Sequence, residues 1–100
     1  MTRTPEEIYD EIRTTPQPAA SPSTLAERLA YAEAHVVHYR RIQELWDEIA
    51  DVLGDERDVP RWGFSAVLAA AGYAYEQRAR CEEVAARYRE MLESERARAT

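Results

Sequence analysis

Residues 25–53 read LAERLAYAEAHVVHYRRIQELWDEIADVL, and residues 64–92 read FSAVLAAAGYAYEQRARCEEVAARYREML. In both, apolar side chains return every three or four positions with no proline inside, the spacing of a helix that turns one face inward. Between them, Gly54 to Pro60 holds a glycine, a proline and a run of charges that neither helix can absorb. The two stretches predict an all-α protein built on a long antiparallel helical hairpin, with helices at about 25–53 and 61–97.

The ends of the first long helix carry their own signals. Thr24-Leu25-Ala26-Glu27 fits a capping box, in which hydroxyl and carboxylate each satisfy a free backbone N–H. Gly54 fits the stop, and Pro60 the start of the next helix, where Gly63 in the first turn costs little. Along residues 25–53 the apolar positions form two neighbouring stripes. One is Leu25, Leu29, Ala32, Val36, Tyr39, Trp46, Ala50 and Leu53, and the other is His35, His38, Ile42, Leu45, Ile49 and Val52. A hairpin covers one stripe, so the second asks for another layer. Dimerisation into a four-helix bundle would supply it, with Ile42, Leu45, Ile49, Val52, Trp46, Tyr75 and Tyr88 as the interaction residues. At equal rise on both helices, facing residue numbers sum to roughly 115, which sets Trp46 level with Ala69, Ala70 and Ala71.

Ahead of this hairpin (24–100), residues 1–13 form a short helix. It opens on Thr4 as cap, Pro5 at the first position and Glu6 and Glu7 near the positive end of the dipole. Ile8, Tyr9 and Ile12 share one side of it. Residues 14–23, rich in Pro, Ser, Ala and Thr, read as a linker. The short helix is therefore tethered, and two readings follow: a docking helix for another protein through Ile8, Tyr9 and Ile12, or a third member of the bundle.

At 100 residues the chain is one small domain with a net charge of -6. The charge is uneven, about -2 before Leu25, -5 from there to Val59 and +1 beyond. An acidic balance of this kind argues against nucleic acid as a partner. All 13 basic residues are arginine, as in a GC-rich genome of actinobacterial or actinophage origin. Cys81 is the single cysteine, so no intrachain disulfide forms. The N-terminus lacks an apolar leader, and no stretch is long and apolar enough to span a membrane. These features predict a cytoplasmic protein, or one held within a phage particle.

The chemistry-bearing residues are few. His35 and His38 lie three apart, level with Gln77, Arg78 and Cys81, and imidazoles with a thiolate are zinc ligands. A metal-binding helical bundle with ligands from His35, His38 and Cys81 is accordingly the alternative function. Against it, Arg78 sets a permanent positive charge at the same level, and the Glu-x-x-His pairs of di-iron bundles are missing. The same layer also has the chemistry of a register-fixing polar group or a pH sensor. The arginines at 78, 80, 87, 89, 96 and 98 alternate with carboxylates three or four residues away, as on a solvated helix face.

Trp62-Gly63-Phe64, at the turn of a chain of this length and shape, resembles the Trp-x-Gly turn of the small secreted helical-hairpin family typical of actinobacteria. Glycine here follows tryptophan directly. The acidic residue that the family places four after a C-terminal tyrosine is replaced by Leu92 after Tyr88 and by Gln77 after Tyr73. Secretion and partner chemistry are therefore not carried over, and Trp62 and Phe64 read as a staple on Leu53 and Val52. No catalytic grouping and no cofactor motif stands out. The sequence predicts a non-enzymatic interaction or assembly component, an adaptor or a structural part of a larger particle, acting as a homo-oligomer or on another protein.

Overall fold

The computed structural model describes residues 3–18, 23–54 and 63–99, and among them the chain forms three helices and no strand. They are α1 (Pro5–Thr14), α2 (Leu25–Leu53) and α3 (Phe64–Ala99). The molecule is a rod of 62 × 22 × 20 Å. Its length is set by α3, whose 36 residues at 1.5 Å each span about 54 Å.

Each cap follows from its residues. The Thr4 hydroxyl accepts from the Glu7 backbone N–H, while the Glu7 carboxylate takes the Thr4 N–H, a complete capping box with Pro5 in the first turn. The Thr24 hydroxyl accepts from the Glu27 N–H at 3.1 Å. The reciprocal arm expected at Thr24 is drawn one residue back, because Glu27 accepts instead from the Ser23 backbone and hydroxyl at 3.2 Å. Those two hydrogen bonds hold Glu27 below the usual carboxylate range. Gly54 closes α2 at φ +54°, where a side chain would be strained. The turn expected at residues 55–61 lies outside the described residues, as does Trp62, and so does the Phe64 side chain.

α2 and α3 pack along their lengths and run antiparallel. Arg40 lies 3.9 Å from Glu82 and Glu33 lies 3.6 Å from Arg89, so as numbers rise on α2 they fall on α3. Trp46 shares a cavity with Ala70 and Ala74, within a helical turn of the register read from the sequence. The inner face of α3 is built from small side chains. Val67, Ala71, Ala74 and Ala85 are buried, whereas Leu68 and Tyr75 are 47% and 51% exposed. Alanines on α3 let the two backbones come close, which leaves little depth for larger groups.

α1 folds back on α2. Ile8 is completely buried in one cluster with Leu45, Ile49, Leu53 and Val67, and Ile12, Trp46, Ala50 and Val52 pack around it. Tyr9 remains partly exposed against the Trp46 ring, with centroids 6.0 Å apart. Glu11 is gripped from both sides. Arg41 reaches it with Nε at 3.0 Å, and Arg3 bridges from Glu11 to Glu48. Of the two readings of the N-terminal helix, the structure has the third packing member. The reading that left Leu45 and Ile49 for a second subunit is met from within the chain, since both are covered by Ile8.

Candidate functional site

The second stripe of α2 is covered over only part of its length. Arg28, His35, Ile42 and Ile49 are spaced seven apart and so fall on nearly one face of the helix. At Ile49 that face lies under α1; Ile42 is half-buried in the hollow between α1, α2 and α3. Toward Arg28 α1 has ended, and the groove between α2 and α3 is open. It forms a hollow of about 350 Å³ between Tyr31, His35 and Arg28 on one wall and Arg80, Val84 and Tyr88 on the other, with Ala32 and Cys81 at its base.

Burial shows the consequence. The fully buried large side chains, Ile8, Leu45 and Ile49, all lie at the α1 end. Over residues 25–36 and 80–99 the buried side chains are Ala32 and Ala85 alone among the described residues. Leu25, Leu29, Val36, Tyr88 and Leu92 are half-buried there, and Val84 and Met91 are exposed. Two helices without a third leave each apolar side chain one neighbour short.

Charge around the groove contrasts with the rest of the molecule. Arg28 and Arg80 line it and have no ion-pair partner among the described residues, and no carboxylate contributes to its walls. On the opposite side of the α2/α3 pair, Arg40, Arg78 and Arg89 are each matched by Glu82 or Glu33. Arg78 also lies over the Tyr75 ring, 5.0 Å from its centroid. An acidic chain has thus left a cationic rim around its least covered apolar surface.

The histidine and cysteine layer is divided by the fold. His35 faces the groove beside Cys81, its Nδ1 donating to the Tyr31 carbonyl at 2.9 Å and its ring 4.2 Å from that of Tyr31. His38 turns toward the linker instead, lining hollows with Pro16, Gln17 and Trp46. Burial lowers its proton affinity, His35 adds to that, and the Pro16 carbonyl opposes it. Burial likewise pushes the Cys81 thiol above its ordinary value, away from the reactive thiolate. Among the described residues no three histidine, cysteine or carboxylate side chains gather closely enough to hold a metal ion.

The other candidates read from the amino-acid pattern spread over the molecule. Tyr88 lines the open groove, Ile42 and Trp46 line the hollow below it, and Val52 packs beside the α1 cluster. Tyr75 lies on the opposite, salt-bridged side. Arg28, Tyr31 and Val84 carry no site signal in the sequence, although Arg28 and Tyr31 continue the second stripe toward the N-terminus of α2 at helical spacing. Arg80, expected on a salt-bridged face, lines the groove without an ion pair among the described residues. No described helix is long and apolar enough to cross a membrane. No protein-family model, no curated protein and no solved structure matches the chain.

Proposed function

We propose that this protein is a non-enzymatic interaction component that completes a helical bundle with another chain. The observation that carries the reading is the division of one α2 face into a half covered by α1 and a half left open. The covered half has a core of Ile8, Leu45, Ile49, Leu53 and Val67, while among the described residues the open half has only Ala32 and Ala85 buried. A helical layer over the open half would bury Val84, Tyr88 and Met91, each large apolar side chain being worth about 1.5–3 kcal/mol when fully covered. The helical hairpin of α2 and α3 is then the scaffold, α1 its built-in third helix, and the missing layer comes from a partner. A second copy laid on this face would give a four-helix bundle; a helix of a different protein would give the same cover.

Native mass by light scattering, measured together with amide hydrogen exchange, tests the reading. An oligomer with slow exchange across residues 25–36 and 80–99 supports it. So does a single chain in which those residues exchange far faster than the amides around Leu45 and Ile49. A single chain whose open half exchanges as slowly as its covered half overturns it, because such a rod needs no further cover.

A further inference from the structure

We infer that the groove between Arg28 and Arg80 receives an acidic amphipathic helix from a different protein, and not a second copy of this chain. The inference rests on the interaction reading above and adds the chemistry of the partner. The chain itself displays how this face is filled. α1 is an amphipathic helix with four carboxylates, Glu6, Glu7, Asp10 and Glu11, and it sets Ile8 and Ile12 toward α2 while Arg41 grips Glu11 at the edge. Seven and fourteen residues before Ile42 on the same face come His35 and Arg28, so the open groove continues the slot that α1 occupies.

The groove repeats the features that hold α1. Its floor and walls are apolar or aromatic, from Tyr31, Val84 and Tyr88, and its rim carries Arg28 and Arg80 with no carboxylate among the described lining side chains. Both arginines are exposed and without an ion pair among the described residues, so each is free to meet an incoming carboxylate. A helix with leucine-like residues at i, i+4 and i+7 and carboxylates beside them matches both properties. A second copy does not. In a two-fold pair centred on this groove, the arginine rim of one copy would face the arginine rim of the other, with no carboxylate among the described lining side chains to meet either, and like charges brought together there oppose the contact.

The test uses the full chain and two synthetic fluorescent peptides of about fourteen residues, long enough for a helix on a surface. Both carry leucine at i, i+4, i+7 and i+11; one has glutamate at the remaining exposed positions and the other lysine. The glutamate peptide is expected to bind saturably and to gain helicity, and rising salt is expected to weaken it. The double variant Arg28→Glu with Arg80→Glu is expected to weaken it by about tenfold or more. Both arginines are exposed, so the variant's circular dichroism should match that of the parent chain. Equal binding of the lysine peptide, unchanged binding to the double variant, or no binding of either peptide at about 1 mM overturns the inference. Decanoate filling the groove in place of the peptide overturns it too. A native dimer broken by Val84→Glu also overturns it, while leaving the interaction reading in place.

Discussion

His38 has its Nδ1 buried without a hydrogen-bond partner among the described residues, beside Pro16 and Gln17, which follow α1. Burial depresses its proton affinity by more than the Pro16 carbonyl raises it, and His35 adds to the depression, so the folded chain prefers the neutral ring. The unfolded chain protonates near 6.5, and the folded one only at lower pH. The stability linked to His38 is therefore complete above 6.5 and is lost as pH falls below it. Glu11 behaves the same way lower down. Arg3 and Arg41 hold it ionised below the ordinary carboxylate value of 4.5, and its contribution is lost as pH falls from there through the depressed value. Melting temperature against pH should show both limbs. His38→Gln is expected to flatten the limb that begins as pH falls below 6.5, and Glu11→Gln the one that begins below 4.5. Unaltered slopes in both variants would mean that neither group changes its environment on folding.

α1 is the element on which the core turns. Ile8 is completely buried among Leu45, Ile49, Leu53 and Val67, and truncating such a side chain costs about 2–4 kcal/mol through lost burial and the cavity left behind. For a domain of this size that is roughly 10–20 °C in melting temperature. Ile8→Ala should show this loss in a thermal melt, whereas Tyr9→Ala, at a half-exposed site against Trp46, should cost less. Equal small losses would mean that α1 is not part of the cooperative unit. The element was readable in the sequence, and its place was not. Thr4, Pro5 and Glu7 announced a helix start, and α2 was bounded correctly by Thr24 and Gly54 because caps are local chemistry. Whether Ile8 and Ile12 meet another protein or this one depends on Glu11 and Arg41, thirty residues apart, and no spacing rule joins them. The groove escaped the sequence for a related reason. The second stripe was visible, but where its cover ends is set by how far α1 reaches along α2. The inner face of α3 was obscured because alanines do the packing there, and Ala74 and Ala85 stand out less in an apolar pattern than Leu68 and Tyr75.

At the scale of the whole molecule, the rod has one face at two stages of completion, and removing α1 makes them alike. A chain lacking residues 1–23 exposes Leu45 and Ile49 in line with Ile42, Tyr31 and Val84, an apolar strip running over most of α2. Strips of that extent drive association. The truncated chain also loses the clamp of Arg3 and Glu11 across Glu48 and Arg41, which leaves those two α2 side chains without their N-terminal partners. It is expected to melt lower than Ile8→Ala and to show, at equal concentration, a larger native mass than the full chain by light scattering. Because the new strip is centred on Leu45 and Ile49, Arg28→Glu with Arg80→Glu should leave that added mass in place, while Leu45→Glu with Ile49→Glu should abolish it. An unchanged melting temperature and mass after truncation would show that α2 and α3 are self-sufficient. The open half would then have no more need of cover than the half that α1 protects.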